Sequence, residues 1–174
     1  MICQPPGWRH GAPMSTAVPS RHAALLGFLL ITFTAAAIGS WATFQSVREW
    51  YPTLAKPAWT PPSALFAPVW TILYVMMSVA AWRAWRTQTG SSAGALLGLY
   101  VAQLVTNALW SVLFFGLRRP DLALADIALL WVLLVICALR FARADRVAAG
   151  LWLPYVAWVT FAAVLNATMW RLNR

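Results

Sequence analysis

Few side chains in this sequence can carry acid–base, nucleophilic or metal chemistry. The only histidines, His10 and His22, precede the first long apolar run, so neither can ligate a metal ion inside a bundle of the later segments. Cys137 and Met77 are available soft ligands, but core packing is the expected role of both. Asp126 is the one acid inside an apolar run, where acids are functional by default. It lies about one turn from the start of that run, where a solvated or helix-capping carboxylate fits equally well.

Conventional catalytic signatures are missing from the sequence. It has no nucleophile–base pair, no metal-binding cluster and no glycine-rich phosphate loop, which argues against a hydrolase, an ATP-driven pump or a metal site. Polar and aromatic side chains are instead interspersed through apolar segments, and 12 of the 174 residues are Trp. Aromatic rings can stack on other rings, and Tyr and Trp also carry a polar atom that needs a hydrogen-bond partner when buried.

The third apolar segment has two distinct faces at about 100° per residue. The small residues Gly94, Gly98 and Ala102 share one face, and small residues let two membrane helices approach closely. We expect this face to form a homodimer interface, with packing inside the monomer as the alternative. The opposite face carries larger side chains: Tyr100, Gln103, Asn107, Trp110 and Phe114. Amides are costly in lipid unless they have a partner or a cavity, so this face should point into the bundle, either to bind a ligand or only to pair helices.

Two other segments show related patterns. The fifth places four residues within one broad face: Tyr155, Trp158, Ala162 and Asn166. Trp158 and Ala162 are four residues apart, so the large indole lies one helical turn from a small methyl side chain. The space above that methyl group has room for a planar aromatic ring. On the second segment, Trp70 and Tyr74 have the same spacing. Tryptophan is common at membrane interfaces, where helices end. The tryptophans near segment ends are Trp41, Trp82, Trp85, Trp152 and Trp170.

Five apolar segments position these side chains: residues 23–44, 65–85, 93–115, 122–141 and 148–170. Each is close to the roughly 20 residues that span a bilayer as a helix. Apolar residues make up 61% of the chain and charged residues 10%, against about 45–50% and about 25% in ordinary soluble domains. The sequence therefore predicts an all-α integral membrane bundle of five transmembrane helices. A soluble bundle would need polar helix faces, which these segments lack.

The basic residues are distributed like those of membrane loops. The net charge is +9, but Lys and Arg occur in small groups between the apolar segments, which favours a membrane protein over nucleic-acid binding. Seven basic residues fall on the side of the N-terminus and six on the other side, so orientation is left open. Residues 1–22 are expected to form a flexible tail, with Met14 as an alternative start, and residues 23–174 the membrane domain.

The first connection, residues 45–64, differs from the short later ones. It contains four prolines and several aromatic residues, and proline fixes φ and removes a backbone donor. Lys56-Pro57 and the Pro61-Pro62 pair therefore predict a stiff, extended strip. Its aromatic residues Trp50, Tyr51 and Trp59 suit two interpretations: an interfacial belt around a rigid hairpin, or a lid over a pocket between the helices.

This loop makes the chain recognisable. Residues 50–62, WYPTLAKPAWTPP, resemble the first-loop signature of the TspO/MBR family, which comprises bacterial tryptophan-rich sensory proteins and the mitochondrial translocator protein, or peripheral-type benzodiazepine receptor. The resemblance runs from about Leu25 to Asn173. It continues through three helices: Phe66, Pro68, Val69, Trp70, Thr71, Leu73, Tyr74 and Met77; Gln103, Asn107, Trp110, Phe114, Phe115 and Gly116; Pro154, Tyr155, Trp158, Phe161, Ala162, Leu165, Asn166, Trp170 and Arg171.

The resemblance implies a compact five-helix bundle that binds porphyrins and haem in bacteria, and cholesterol, porphyrins and aromatic drugs in animals. The expected ligand pocket comprises Tyr51, Trp70, Tyr74, Gln103, Asn107, Trp110, Trp158 and Ala162. The expected lid comprises Trp50, Lys56, Pro57, Trp59, Pro61 and Pro62. No cofactor is required in this view, since porphyrin or haem is the ligand. Ala167 lies near where the animal cholesterol pattern has Tyr, so sterol is a weak expectation and a bacterial, multi-pass membrane protein is favoured.

Two functions follow from the resemblance. The first is a receptor or transporter for tetrapyrroles such as protoporphyrin IX and haem, linked to porphyrin handling and stress signalling. The second is an enzyme-like activity, the light- and oxygen-dependent degradation of bound protoporphyrin IX. The family pattern then places the reactive indoles at Trp70 and Trp158. The expected partners are membrane lipid, the tetrapyrrole and a second copy of the chain.

Overall fold

The computed structural model describes residues 21–174, except for the side chains of Arg21 and Gln45. The described residues form five long helices and no strand. Each helix is long and apolar enough to cross a membrane, which confirms the predicted all-α bundle. The helices are α1 (Arg21–Glu49), α2 (Phe66–Trp85), α3 (Gly90–Ser111), α4 (Pro120–Ala144) and α5 (Arg146–Leu172). A π-helical segment, Val112–Gly116, continues α3, and the first loop contains 3-10 turns at Tyr51–Thr53 and Ser63–Leu65.

Local chemistry accounts for several helix ends. Pro120 occupies the first turn of α4, where its missing N–H costs nothing. The Asp145 carboxylate caps α5 by accepting hydrogen bonds from the Val147 and Ala148 amides at 2.8 and 3.1 Å. The predicted end of the first helix at residue 44 is too early, because α1 continues to Glu49. Its last turns are tied to the π-helical segment by the Ser46 hydroxyl, which donates to the Phe115 carbonyl at 2.5 Å.

The predicted N-terminal tail falls almost entirely outside the described residues. The structure describes the chain from Arg21, which begins α1 two residues before the predicted start of the membrane domain. The alternative start at Met14 also lies outside the described part. The tail therefore remains a prediction.

The bundle has two ends that differ in construction. At the loop end, the loop of residues 50–65 meets the π-helical segment and the C-terminal end of α5. At the distal end, short turns join α2 to α3 and α4 to α5. The core towards the distal end is tightly packed, since the side chains listed here have no exposed surface: Met77, Ala80, Ala81, Ala84, Tyr100, Leu134, Cys137, Phe141, Ala148 and Trp152. The alanines of α2 allow close helix approach.

This core settles three expectations from the sequence. Cys137 and Met77 both pack in it, as predicted. Trp152 is wrongly predicted to lie at the interface, because it is fully buried against Tyr100, Phe141 and Tyr155. Its indole N–H donates to the Leu134 carbonyl at 3.0 Å, which satisfies the one polar atom that burial would otherwise penalise.

An ion pair closes the distal end. Arg83 of α2 contacts Asp145, between α4 and α5, at 2.8 Å. Burial favours the neutral form of Asp145, but hydrogen bonds from the Ala148 and Val147 amides and from Arg83 outweigh this effect and hold its pKa below the usual value. Asp145 therefore stays charged and links three helices at this end.

Candidate functional site

A hydrogen-bonded network of polar side chains lies in the middle of the bundle. The Tyr155 hydroxyl of α5 donates to Oε1 of Gln103 at 3.1 Å and accepts from Nδ2 of Asn107 at 3.0 Å. The Tyr74 hydroxyl of α2 completes the network by donating to Oδ1 of Asn107 at 3.2 Å. Three helices thus contribute to one polar cluster, and the face of α3 that carries both amides points into the bundle, as predicted.

One group in this network has no partner. Gln103 has no exposed surface, and its Nε2 makes no hydrogen bond within the described part of the chain. A buried donor without a partner costs about 1–3 kcal/mol, and such groups are rare enough in folded proteins that each one needs an explanation. Gln103 therefore presents an amide that an acceptor atom of a ligand can satisfy.

Aromatic rings surround this network. Trp70 stacks on Tyr74 with ring centroids 5.3 Å apart, and its edge contacts Tyr155 at 6.1 Å. Trp158 contacts Phe66 of α2 at 6.0 Å, and it is half-buried, as is Ala162 one turn further along α5. The spacing of four residues in α2 therefore places the Trp70 ring beside two tyrosines of the network, whereas Trp158 of α5 contacts the phenylalanines Phe66 and Phe161.

Trp110 lies between the main core and the loop end of the bundle. Its indole N–H donates to Oδ1 of Asn166 at 3.0 Å, and Nδ2 of Asn166 donates to the Pro120 carbonyl at 2.9 Å. The Trp110 ring stacks on Phe114 at 5.2 Å. Phe114 belongs to the π-helical segment, and such segments often occur at functional sites. Trp110 consequently packs against both the main core and the smaller aromatic cluster under the loop.

The loop aromatics pack onto the end of the bundle. Trp50 contacts Phe114 at 5.7 Å, and Tyr51 contacts Phe115 at 5.9 Å. Tyr51 is buried, its hydroxyl has no partner in the described chain, and burial raises its pKa. Further along the loop, Trp59 contacts Phe161 of α5 at 5.8 Å while remaining 47% exposed. The loop therefore covers this end of the bundle, which is the geometry of a lid.

The loop is more folded than the extended strip predicted from its prolines. A turn closes where the backbone N–H and hydroxyl of Thr60 both donate to the Pro57 carbonyl, at 3.0 and 2.8 Å. Lys56 stays within the loop, since its ammonium donates to the Pro52 and Leu54 carbonyls at 3.2 Å. The ammonium also lies 4.9 Å from the centre of the Tyr51 ring. The prolines fix turns that side-chain hydrogen bonds then hold together.

Asn173, which was not among the predicted lid residues, holds the lid against the end of α5 by two hydrogen bonds. Nδ2 of Asn173, just after α5, donates to the Ala55 carbonyl at 3.0 Å. Its Oδ1 accepts from the Ala55 amide at 2.9 Å. The Asn173 side chain thus bonds to both the N–H and the C=O of Ala55, as the backbone of a paired β-strand does. We call this pair of bonds the Asn173 latch.

The structure brings most predicted pocket residues together. Trp70, Tyr74, Gln103, Asn107, Trp110, Trp158 and Ala162 lie in or against the main core, whereas Tyr51 belongs to the aromatic cluster under the lid. Sequence reasoning placed Tyr155 on the correct face but omitted it from the pocket, although its hydroxyl is the centre of the network. Phe66 and Phe161 were missed as contacts of the tryptophans; their positions on the tryptophan-bearing faces of α2 and α5 were the available signal.

Two other predicted positions are clarified. Gly94, Gly98 and Ala102 are exposed on the outer surface of α3, so the alternative of packing within the monomer is wrong. Asp126 is 7% exposed, and its Oδ2 has no partner in the described chain. No hydrogen bond joins this carboxylate to the first turn of α4 in the described chain, so it does not cap that helix.

The chain is similar to known proteins over the segments described above. Residues 28–171 match the TspO/MBR family. The chain is 41% identical over 142 residues to the tryptophan-rich protein TspO of Chlorobaculum tepidum, covering 78% of this chain and 86% of the relative. It is 39% identical over 148 residues to a tryptophan-rich sensory protein of Cereibacter sphaeroides, covering 83% and 91%. It is 36% identical over 151 residues to the Bos taurus translocator protein, covering 86% and 89%.

Proposed function

The chain belongs to the TspO/MBR family and is a multi-pass bacterial membrane protein, and from this premise we propose that it binds tetrapyrroles between its helices. The ligand class comprises protoporphyrin IX, haem and other flat hydrophobic molecules. The protein acts as a receptor or transporter in porphyrin handling and stress signalling. The relatives' names, which include translocator and sensory protein, support this class of role.

The observation that carries the proposal is the unpartnered Gln103 amide among aromatic rings. A porphyrin offers a flat aromatic face for stacking and polar propionates at its edge. The Trp70 and Trp158 rings supply apolar faces, while Nε2 of Gln103 supplies a buried donor already lacking a partner. When an acceptor atom of the ligand bonds to this donor, the complex gains the hydrogen-bond energy that Gln103 lacks in the ligand-free bundle.

Binding also requires the aromatic cluster to open. Trp70 contacts Tyr74 and Tyr155 at centroid distances of 5.3 and 6.1 Å, so a tetrapyrrole that enters between these rings must separate them. The lid covers the adjacent end of the bundle. We infer that ligand entry displaces the lid and that reclosure excludes water from the bound ring.

A specific observation supports the alternative function, degradation of bound protoporphyrin IX. Rings of oxidisable residues form a continuous series: Trp70 contacts Tyr155 at 6.1 Å, and Tyr155 contacts Trp152 at 5.4 Å. In this scheme the light-excited porphyrin takes one electron from an indole and passes it to dioxygen, which becomes superoxide. The contacts with Tyr155 and Trp152 can share the resulting radical until the porphyrin returns an electron to the indole. The porphyrin radical cation then combines with superoxide, so the porphyrin is oxidised and the indole is regenerated.

Titration of protoporphyrin IX into the purified protein tests the primary proposal, with porphyrin absorbance and Trp fluorescence as readouts. Trp158→Ala removes one aromatic contact, which is worth about 0.5–1.5 kcal/mol beyond the buried area. We expect affinity to fall roughly tenfold or more. Trp41→Ala is the matched control, because Trp41 is 85% exposed on α1. Equal affinity in the parent and in Trp158→Ala would place the site elsewhere.

Product analysis after illumination in air separates the two functions. Intact porphyrin recovered with the parent protein supports binding or transport alone. A protein-dependent tetrapyrrole product that disappears in the Trp70→Phe, Trp158→Phe double variant supports degradation. The Phe replacements retain a ring for stacking, so binding should persist while the oxidisable indoles are removed.

We also propose that the protein forms a homodimer through α3. Gly94, Gly98 and Ala102 lie on its outer surface, and no neighbouring atom of the described monomer lies within 4 Å of a Cβ built at Gly94 or Gly98. This surface allows close approach of a second helix. The dimer interface lies on the opposite side of α3 from the polar network, so association and ligand binding use separate surfaces.

A further inference from the structure

A basic cavity at the distal end lies away from the proposed ligand site. Its volume is about 260 Å³, and it opens between the beginning of α3 and the last turns of α4. Its lining comprises Gln88, Ser92, Leu96, Arg140, Arg143 and Ala144. The volume is below the roughly 300–1,000 Å³ of pockets that enclose whole drug-sized ligands. It suits a compact polar group rather than a tetrapyrrole.

The charge of this cavity is unbalanced. Arg140 and Arg143 form no ion pair or hydrogen bond with another group of the described chain, and no acidic side chain lines the cavity. Asp145 is close in sequence, but Arg83 and two backbone amides already engage its carboxylate. Two guanidinium groups with free donors on one cavity therefore select an anion, and guanidinium geometry matches phosphate oxygens particularly well.

The surroundings indicate where the anion comes from. Ile136 and Leu139 precede Arg140 and Arg143 by one helical turn on α4, and they are 39% and 58% exposed. An apolar surface therefore runs from the two arginines towards the middle of the membrane span. Basic pockets between transmembrane helices bind the headgroups of anionic lipids. A lipid whose phosphate lies at the arginines can place its acyl chains along this surface.

We propose that this cavity is a binding site for the headgroup of an anionic phospholipid. Arg140 and Arg143 contact the phosphate, and the Ser92 hydroxyl and Gln88 amide are within the same lining to donate hydrogen bonds to the headgroup. Because the lipid contacts α3 and α4 at the end where α4 continues into α5, binding stabilises the distal end. This function is independent of porphyrin binding at the network around Tyr155.

Thermal unfolding in a neutral detergent tests the proposal directly. Phosphatidylglycerol should raise the Tm of the parent more than phosphatidylcholine does, and the Arg140→Gln, Arg143→Gln variant should lose most of that difference. Arg171→Gln, Arg174→Gln is the matched control, since it removes the same charge at the loop end. Co-purified lipid measured by mass spectrometry gives a second readout that does not depend on unfolding, with phosphatidylglycerol depleted only in the first variant.

Three results would overturn the site. Equal retention of phosphatidylglycerol by the parent and the Arg140, Arg143 variant would show that the cavity is not used. An equal loss in the Arg171, Arg174 variant would show that only overall charge attracts the lipid. Inorganic phosphate that reproduces the full Tm increase at the same concentration would show that the site takes a free anion instead of a headgroup.

Discussion

The two ends of the bundle are built for different tasks. The distal core consists of fully buried side chains, and the polar atoms of Trp152 and Tyr100 within it are paired. At its edge, Arg83 contacts Asp145 through one guanidinium nitrogen, while its Nε has no partner in the described chain. From the middle of the bundle towards the loop end, the rings of Trp110, Trp158 and Phe161 are half-buried. In the same region, Nε2 of Gln103 and the hydroxyl of Tyr51 lack partners in the described chain. Packed and paired groups stabilise the fold, whereas unpaired groups beside separable rings leave free energy that a ligand can recover. The bundle thus combines a closely packed distal half with a half that leaves polar atoms and ring faces for a ligand.

The strongest test of this contrast compares one tryptophan from each half. Trp152→Ala empties a fully buried site and should lower the free energy of unfolding by about 3–5 kcal/mol. Trp59→Ala truncates a half-exposed lid residue, and its cost should be much smaller. Denaturant or thermal unfolding in detergent measures both. Similar losses for the two variants would show that the lid is as much a part of the stable core as α5.

A smaller effect is expected on ligand affinity from Ala162→Thr. This change adds a methyl and a hydroxyl group beside Trp158, and overpacking of a filled site costs about 1–3 kcal/mol. Protoporphyrin IX should therefore bind about 5- to 150-fold more weakly, while the unfolding transition is retained. Ala163→Thr, on the same helix at the neighbouring position, provides the control. Parent-like affinity in Ala162→Thr would exclude the slot beside Trp158 from the site.

The Asn173 latch gives a kinetic test of the lid. Asn173→Ala removes both bonds to Ala55, and losing roughly 1 kcal/mol of net hydrogen-bond energy should raise the porphyrin off-rate about fivefold. Asn173→Asp retains the acceptor for the Ala55 amide and should give an intermediate rate. Stopped-flow displacement measures all three proteins.

Loosening the loop from within should act in the same direction as opening the latch. Replacing Pro61 and Pro62 with Gly removes preorganisation and should also raise the off-rate. Unchanged off-rates in this variant and in Asn173→Ala would leave the loop as an interfacial belt, with no role in closing the site.

The smallest expected effect on ligand affinity is that of a substitution on the outer surface of α3. Gly98→Leu should shift the protein towards monomer in mild detergent, because a bulky side chain holds two backbones apart. Porphyrin affinity should stay unchanged, since a Cβ at Gly98 meets no atom within 4 Å beyond the adjacent backbone of α3. Gly27→Leu is the control on α1, where a Cβ is equally unobstructed. An oligomer distribution that is the same for the parent and Gly98→Leu would remove this surface from the interface.

The local pattern of the sequence was sufficient to predict the five helices and which residues share a helix face. Five apolar segments of membrane-spanning length predicted five helices, because hydropathy and helical period depend only on neighbouring residues. The same period separated Gly94, Gly98 and Ala102 from Gln103 and Asn107, and the exposure of the first group and burial of the second agree with it. The motif around the first loop added the family, which the comparison with known proteins confirms.

Partnerships between distant residues needed the tertiary structure. Nothing local to Tyr155 shows that its hydroxyl joins Gln103 to Asn107, and nothing local to Asn173 shows that it reaches Ala55, 118 positions away. The position of Trp152 near a helix end predicted an interfacial residue, yet neighbouring helices bury it completely. Arg140 and Arg143 resemble ordinary loop charges until α3 forms the other wall of their cavity. Helical period fixes which way a side chain points, but what it meets depends on the helices packed against it.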